Sequence, residues 1–525
     1  MNSIDDSKPP GSNGGRQPSS FLNKPIHVPK LVGSDIEFAN TLEGIDATDR
    51  CTPAGWALLA ELPGLPNEKA RALHDPRMPG THQWPNERDL GRRFVSNGSC
   101  FYMDSGHTEG ASCELLSARQ HVAWWAATQR IVSEAQARAN AKLPAGQRLR
   151  VAVRNSDGFS NSFGSHDNFL ITRPAWERMI KHPPTTAWLA SFQVSSIVLT
   201  GAGKLGSENG RPACRHQLSQ RADFCATRLL SEETMFDRPI INTRDEPHCG
   251  PGPRSHLARL HCIMHDANLC PVAQFLKIGT MQIALTMIEA GEIEPKLCLA
   301  DPASALVGFS HDPSLNATAK LKRGDETNIV DLQLRFLDAA DRFVGAGRCA
   351  GLVPDAEVII AYWAETLSML KRRDFDSLAG RLDWVHRLAL IEGALAADSR
   401  LSWDSPALRL IDFAYGDIDG GMFLEAQQVG LVEQLVTEEE ICAAMSTAPE
   451  NTRAWTRSRI LQLAPAEIVA HVDWDSITLR EKGGKMRTLW LGDPLGFAKA
   501  NSPIRNATTF EEALKALQQD RTFEP

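Results

Sequence analysis

The sequence of 525 residues lacks the marks of several common protein classes. Its 11 cysteines are odd in number and include no CxxC pair, which favours reduced thiols over a disulfide framework. No apolar run approaches the roughly 18 residues that a membrane span needs, and the N-terminus has no signal-peptide core. Acidic residues (64) outnumber Lys and Arg (56) and no basic run occurs, which argues against a nucleic-acid partner. We expect a soluble, cytoplasmic protein.

Familiar nucleotide, zinc and nucleophile motifs are also missing or incomplete. No GxxxxGK[ST] loop and no GxSxG elbow occurs. GAGKLG at 201–206 fits GxGxxG, but a Gly/Pro/Asn-rich stretch follows where a helix is required, so a hairpin loop is predicted. His261 and His265 lie four residues apart, but the Glu of a metalloprotease motif is absent and HCIMH suits a strand equally.

Composition separates a tail from the ordered part of the chain. Residues 1–28 are rich in Pro, Gly and Ser and are predicted to be disordered. With 42% hydrophobic and 23% charged residues, the remaining length favours one large domain and a smaller one. We assign these domains to 29–450 and 451–525.

Local patterns predict the main elements. Residues 39–96 are predicted to form a long connection, because five prolines fall within 61–89. A helix is predicted from Ser112, which can cap it, to about Lys142. Between 148 and 270 the segments RLRVAVRN, SFGSHDNFLIT and SFQVSSIVLT predict an antiparallel sheet. Residues 273–445 are predicted to be mainly helical, and the C-terminal region mixes two helices with the strand HVDWDSITLR.

Polar side chains share one face on each of three predicted strands, because residues two apart on a strand project to the same side. These pairs are Asp35 with Glu37, Tyr102 with Asp104, and His166 with Asn168. For any one strand, a solvated face is the simpler interpretation. Three strands with carboxylate, imidazole and amide groups together favour a cradle for hard cations and a phosphate tail.

A series of segments, in order and spacing, resembles the family of Pup ligases and Pup deamidases/depupylases. The segments are VGSDIEF, NGSCFYMDSGHTEGAS, SFGSHDNFL, TGAGKLG, HQLSQRADF, RPIINTRDEPH, LHCIMHDANL, FLKIGTMQIALTMIEAG, LDWVHRLALIEG, YGD and VDWDS. The resemblance covers about residues 30–500, and PIINTRDEPH is its most specific part.

The resemblance implies an α+β fold of the glutamine-synthetase or carboxylate-amine-ligase type. Its large domain would be a curved antiparallel sheet that forms a cradle backed by helices, and a small C-terminal domain would follow. Family members bind ATP and Mg²⁺ on the sheet. They act on the C-terminal Gln or Glu of Pup, a small disordered protein modifier, which also implies an indirect link to the proteasome.

The family's functional positions transfer to this sequence by motif. The implied metal ligands are Asp35, Glu37, Tyr102, Glu109, His166 and His248. The implied nucleotide contacts are Ala111, Ser112, Asn168, Arg244 and Trp474. Asp104 matches the catalytic aspartate, as nucleophile or as general base.

Three departures from the family pattern mark a divergent member. Asp35 stands where the family usually has Glu, so its carboxylate reaches one methylene less far. Cys100 replaces a common Arg, and HTEG at 107–110 replaces His-Pro-Glu-Tyr. His107 is therefore predicted to be structural, and the modifier need not be ordinary Pup.

Two activities share this kind of site, and the resemblance favours one of them. TGAGKLG, SQRADF and HDANL resemble the deamidase branch, which hydrolyses the terminal Gln amide or the isopeptide bond of a tagged protein. The alternative is a ligase that joins the modifier's terminal Glu to a substrate lysine through a glutamyl phosphate. A third alternative is a catalytically weakened protein that only binds a modifier.

Overall fold

An eight-stranded sheet lies at the centre of the protein, seen in a computed structural model that describes residues 27–65, 91–225, 228–249, 256–495 and 504–519. The strands are β1 (Val32–Glu37), β2 (Ala39–Glu43), β3 (Arg93–Phe94), β4 (Cys100–Asp104), β5 (His107–Ala111), β6 (Arg148–Ala152), β7 (Ser165–Thr172), β8 (Lys204–Leu205), β9 (His216–Gln217), β10 (Leu230–Ser231), β11 (Ile241–Asn242), β12 (Leu257–Cys262), β13 (Thr318–Lys320), β14 (Glu326–Asn328), β15 (Val469–Val472), β16 (Ser476–Arg480) and β17 (Met486–Trp490).

The order in the central sheet is β10-β11-β12-β7-β1-β5-β4-β3. Neighbouring strands are antiparallel except β10 and β11, which are parallel. Along β1 and β4 the side chains of Val32, Ile36, Phe101 and Met103 are buried, and those of Asp35, Glu37, Tyr102 and Asp104 lie on the opposite, more accessible face. The period of two therefore predicts correctly which side of the sheet these polar residues share.

Fifteen α-helices complete the described part of the chain. They are α1 (Cys51–Glu61), α2 (Ala118–Asn140), α3 (Arg173–Lys181), α4 (Pro183–Thr200), α5 (Pro271–Ala290), α6 (Pro302–Ser310), α7 (Ile329–Gly345), α8 (Ala356–Arg372), α9 (Phe375–Leu378), α10 (Asp383–Ala397), α11 (Pro406–Ala414), α12 (Met422–Gln428), α13 (Glu438–Ser446), α14 (Arg453–Leu463) and α15 (Phe510–Gln519). Helix α5 lies against β7 and α2, and it is buried on all sides from Pro271 to Glu289. It is the central helix of the core behind the sheet.

The predicted strand SFQVSSIVLT is wrong, because residues 191–200 form the C-terminal half of α4. Every residue from Thr185 to Thr200 is buried, and an apolar run buried on all sides carries no period that separates helix from strand. The available signal was the pair Pro183 and Pro184, since proline is favoured in the first turn of a helix.

Two further predictions need correction. The helix predicted from Ser112 begins at Ala118, and Ser117 caps it by accepting a hydrogen bond from the Gln120 backbone N–H. The residues before it continue the sheet instead, since Leu115 and Val32 exchange two backbone hydrogen bonds. The predicted connection 39–96 contains β2 and α1, while its residues 66–90, like residues 1–26 of the predicted tail, lie outside the described residues.

The predicted strand HVDWDSITLR (471–480) is also wrong, because it spans the end of β15, a bend and β16, which pair with each other. Two other predictions of local structure are confirmed. GAGKLG enters a hairpin, since β8 pairs with β9. Residues 273–445 are mainly helical, interrupted by the small hairpin of β13 and β14. In the described residues, no helix is both long enough and apolar enough to cross a membrane.

The C-terminal region has a hydrophobic core of its own. Helices α14 and α15 pack together, and β15, β16 and β17 form a three-stranded antiparallel sheet. Its buried residues are Ile460, Leu461, Ile477, Leu479, Leu489, Leu491, Ile504, Ala507, Ala513 and Leu517. Phe94 and Cys100 of the central sheet join this core, so the C-terminal region is packed against the β3 edge of the central sheet. The division at 450/451 stays a prediction.

Candidate active site

The hairpin of β4 and β5 places four of the predicted site residues, Tyr102, Asp104, Glu109 and Ala111. Its turn is Ser105–Gly106, and both residues have positive φ (48° and 90°), as a two-residue type I′ turn requires. The register pairs Tyr102 with Glu109, so both side chains face the cradle. Asp104 is the last residue of β4 and is exposed, which leaves its carboxylate open to a substrate.

Strand β1 lies beside this hairpin and adds two more carboxylates. Glu37 is paired with Glu109 across the strands, and Asp35 is paired with Ala111 on one side and His166 on the other. Carboxylate oxygens of Glu37, Asp104 and Glu109 all lie within 4.8 Å of one another. Among the described residues this is the one group of three or more acidic, His or Cys side chains close enough to share a metal ion.

The carboxylates of Asp35, Glu37, Asp104 and Glu109 crowd one another. Burial, together with the charges of Asp35, Glu37 and Asp104, raises the pKa of Glu109 well above its ordinary value. The Tyr102 hydroxyl donates to Glu109 Oε1 at 2.5 Å, and burial beside that carboxylate raises the pKa of the phenol too. The group is therefore rich in hydrogen-bond acceptors and negative charge.

Glu37 and Asp35 are held from the β7 side. The Gly164 backbone N–H donates to Glu37 Oε2 at 2.7 Å, and a Cβ at Gly164 would come within 2.7 Å of Glu37 Oε1. His166 Nδ1 lies 3.3 Å from Asp35 Oδ1. That oxygen is buried and has no hydrogen-bond partner in the structure, and an orphaned buried carboxylate oxygen fits a metal ligand.

Strand β12 completes the cradle with two side chains that the motif transfer did not include. His261 Nδ1 lies 2.7 Å from Asn168 Oδ1, and Arg259 Nη1 donates to the same oxygen at 3.2 Å. Because an amide oxygen only accepts, His261 carries its proton on Nδ1 and leaves the Nε2 lone pair available. Burial, with His166 and Arg259 nearby, lowers the pKa of His261 well below its ordinary value, so the ring stays neutral.

The sequence held a signal for these two residues. Arg259 and His261 are two apart in LARLHC, which is the same pattern that identified the other cradle pairs. The spacing of four residues relates His261 to His265 instead. The two rings make separate contacts, since His265 Nε2 lies 3.1 Å from Ser196 Oγ of α4, behind the sheet.

Two predicted residues lie on the loop that leads into β12. Arg244 forms an ion pair with Glu246 at 3.0 Å, and Glu246 also lies 3.5 Å from Arg259. The backbone of His248 has a positive φ of 47°, and its carbonyl accepts a hydrogen bond from Arg453 of α14. Burial lowers the pKa of the His248 ring, while the charges of Asp473 and Asp475 oppose that shift. The backbone of His248 thus contacts the C-terminal region, while its ring lies among charges of that region and of the cradle residue Arg259.

Two further residues predicted to contact the nucleotide, Ala111 and Ser112, are buried at the end of β5. Ala111 is buried between Asp35 and Cys100 in the register. Ser112 is also buried, and its hydroxyl accepts from the Ser34 backbone N–H and donates to the Cys113 carbonyl. Its side chain is thus used within the fold.

Trp474 lies at the edge where the C-terminal region meets the sheet. Its ring contacts that of Phe94 edge to face, with the ring centroids 5.2 Å apart. The Arg457 guanidinium carbon lies over the Trp474 ring, 5.1 Å from its centroid. An aromatic face beside the cradle suits stacking on a base. His107, predicted to be structural, has Nδ1 2.9 Å from the Phe38 carbonyl, and its ring contacts that of Phe163 at a tilt of 45°, with the ring centroids 4.4 Å apart.

Comparison with known proteins identifies the family. A family model described as "Pup-ligase protein" matches residues 45–478. The chain belongs to this family. A Pup deamidase/depupylase of Mycolicibacterium smegmatis is 35% identical over 79% of this chain and 81% of its own length. A Pup–protein ligase of Kocuria rhizophila is 36% identical over 86% of this chain and 92% of its own.

Solved structures agree with this result and confirm the predicted α+β fold. The Pup ligase PafA, in a complex with Pup, matches with a TM-score of 0.73 and 25% identity over 94% of both chains. PafA in complex with ADP matches with a TM-score of 0.69 and 26% identity, over 83% of this chain and 90% of its own. The relatives thus include enzymes of both activities at similar identity.

Proposed function

We propose that the chain is an ATP- and Mg²⁺-dependent deamidase/depupylase that acts on a Pup-like modifier. Its substrate would be the modifier's C-terminal Gln amide or the isopeptide bond of a conjugate. The observation that carries the proposal is the exposed Asp104 carboxylate beside the crowded Glu37 and Glu109. Depupylases among the relatives, and the segments that resemble the deamidase branch, support this activity.

Residues of four strands would hold the cations. Asp35, Glu37 and Glu109 offer the hard oxygen ligands that Mg²⁺ prefers, and His166 and His261 flank them. His261 replaces the predicted His248 in this proposal, because its Nε2 is free on the cradle face. Tyr102 acts through its hydrogen bond to Glu109. Bound Mg²⁺ would neutralise the crowded carboxylates and the phosphates of the nucleotide.

The nucleotide would lie along the same face. Arg259, beside Asn168, offers a cation for its phosphates, with Arg244 next to it through Glu246. Trp474 offers an aromatic face for the base. Ala111 and Ser112 would contribute backbone surface only, since the Ser112 side chain is already bonded.

Asp104 would carry out the chemical step. Its carboxylate either attacks the carbon of the side-chain amide or removes a proton from the attacking water. In both routes water is consumed, the C–N bond breaks and the nitrogen leaves with an added proton, as ammonia or as the freed lysine. Ser105 Oγ donates to Asp104 Oδ1 at 3.0 Å, which orients the carboxylate at the hairpin end.

A ligase activity is the second candidate, favoured by the match to PafA. Supplying ATP with a Gln-ended and then a Glu-ended modifier separates the two. Ammonia release from the Gln-ended form supports the deamidase. Stoichiometric ADP with conjugate formed from the Glu-ended form supports the ligase.

The assignment of Asp104 is tested by Asp104→Asn, with the exposed loop residue Asp46→Asn as the matched control. We expect Asp104→Asn to abolish ammonia release while ATP binding, measured by calorimetry, stays within about twofold. Asp46→Asn should behave as the wild type. Ammonia release at the normal rate by Asp104→Asn would overturn the assignment.

A further inference from the structure

A buried polar layer lies directly behind the cradle. Ser34 of β1 and Asp167 of β7 point away from the site, and their exposures are only 2% and 1%. They are register partners across the two strands. Each stands next in sequence to a proposed cation ligand, Asp35 or His166.

Hydrogen bonds and an ion pair join this layer to the two helices behind the sheet. Ser34 Oγ donates to Asp167 Oδ1 at 2.6 Å and lies 2.7 Å from His121 Nε2 of α2. Lys277 Nζ of α5 lies 3.4 Å from Asp167 Oδ2 and donates to the Asp266 carbonyl at 3.0 Å. We call these four side chains, Ser34, His121, Asp167 and Lys277, the buried polar layer.

Stability alone does not account for charges at this position. Burying an ion pair costs desolvation that apolar side chains of similar volume avoid, and such a replacement is often neutral or stabilising. Apolar side chains, including Ile36 and Phe169, are buried on the same side of the same strands. The distinct effect of directional bonds here is to fix the register and rotation of β1 against β7.

We propose that Asp167 and Lys277 are positioning residues for the cation site. They act through Ser34 and β7 to hold Asp35 and His166 at their 3.3 Å separation. The inference rests on the proposed function, in that the cradle face must bind divalent cations. It adds that affinity for the cation depends on two side chains that cannot touch it.

The test uses Mn²⁺ as the probe, with equilibrium binding measured by electron paramagnetic resonance and stability by thermal unfolding. The decisive variant is Asp167→Leu combined with Lys277→Met, which removes both charges and keeps the branched and the unbranched shape of the two side chains. We expect Mn²⁺ binding to weaken by about 10–100-fold, as for loss of an outer-shell partner, while the unfolding midpoint stays near that of the wild type.

One single variant and a matched control keep the inference testable if the double variant fails to fold. Ser34→Ala removes one hydroxyl and should weaken Mn²⁺ binding by about threefold to tenfold. The matched control is Lys30→Met, which breaks the buried ion pair of Lys30 with Glu289 (Nζ to Oε2, 2.6 Å) at the other end of the β1–β7 pair from Asp35 and His166. It should lower the unfolding midpoint and leave Mn²⁺ affinity unchanged.

The outcomes separate the inference from the proposed function. Unchanged Mn²⁺ affinity in a folded double variant or in Ser34→Ala overturns the positioning role, even where wild-type binding confirms the cation site. Absence of Mn²⁺ binding in the wild type overturns the cation site itself, and the positioning role with it.

Discussion

Two buried carboxylates five residues apart, Glu109 and Glu114, differ in what surrounds them. Glu109 meets other carboxylates, and burial with those charges raises its pKa well above the ordinary value. Glu114 is bonded by Arg453 and Arg457 of α14, at 2.6 Å and 2.9 Å. Burial alone would raise the pKa of Glu114, but the two guanidinium groups outweigh it and lower the pKa to about 2.

The surroundings of the two carboxylates indicate different roles, a binding site for Glu109 and a structural contact for Glu114. Glu114 is fully compensated by the chain's own cations, so its role is to fix the C-terminal region to the sheet. The groups that most strongly shift the pKa of Glu109 are three carboxylates and the Tyr102 hydroxyl, and a buried acidic group of this kind fits a ligand of positive charge. Stability should therefore depend on Glu114, and cation binding on Glu109.

The largest expected effect is on activity, in Glu109→Gln. Loss of a direct ligand should lower amide release by more than the roughly 10–100-fold that an outer-shell partner costs. The free energy of unfolding should not fall, because crowding among like charges is relieved. Ammonia release and urea unfolding are the measurements. A variant that is destabilised but fully active would reverse the roles assigned to the two carboxylates.

Glu114→Gln should give the opposite result. It leaves two buried guanidinium groups without their carboxylate, which typically costs about 3–5 kcal/mol in free energy of unfolding. The matched control is Glu440→Gln, whose partner Arg119 is exposed, and it should cost no more than about 1 kcal/mol. Equal losses of unfolding free energy in both variants, measured by urea unfolding, would contradict the distinction between a buried structural ion pair and an exposed one.

The pH dependence of stability should come next in size. The pKa of Glu114 is lowered from 4.5 to about 2 on folding, so its contribution is complete above 4.5 and is lost as pH falls through 2. The shift corresponds to about 3 kcal/mol. The difference in unfolding free energy between the wild type and Glu114→Gln should shrink over this window. A difference that stays constant down to pH 2 is the contrary outcome.

The smallest effect is expected from Gly164→Ala, on the cradle side of the comparison. The new Cβ would meet Glu37 Oε1 at 2.7 Å and His166 Cε1 at 2.9 Å, so the ligands must shift, at a cost of about 1–3 kcal/mol. Gly308→Ala in α6 is the control, since its Cβ meets nothing within 4 Å. We expect weaker Mn²⁺ binding only in Gly164→Ala, and equal binding in both variants contradicts the packing of Glu37 on this loop.

The sequence predicts which face of a short strand each side chain occupies. It predicts less well which strands lie next to each other. Alternation places Asp35, Tyr102 and His166 on the accessible side because one face of each strand is buried. The same rule applied to β12 would have found His261. Alternation fails for α4, where all sides are buried.

Alternation along a strand does not predict which distant segments pair with each other. The register that sets Glu37 opposite Glu109 depends on which strands meet, and the contact of Glu114 with Arg453 joins residues 339 positions apart. Motif transfer from the family supplied Glu109 and His248, while His261 enters the proposed site through the position of β12 beside β7. Local sequence predicts which face of a strand a side chain occupies. The residue that it contacts is set by the tertiary structure.

The most direct test of a cation site in the cradle is equilibrium Mn²⁺ binding to the wild type, Glu109→Gln and Glu114→Gln, each checked for folding by circular dichroism. We expect the wild type and folded Glu114→Gln to bind Mn²⁺ with the same affinity, and Glu109→Gln to bind it more weakly by over about 100-fold. Equal binding by Glu109→Gln and the wild type would contradict the assignment of the crowded carboxylates as cation ligands.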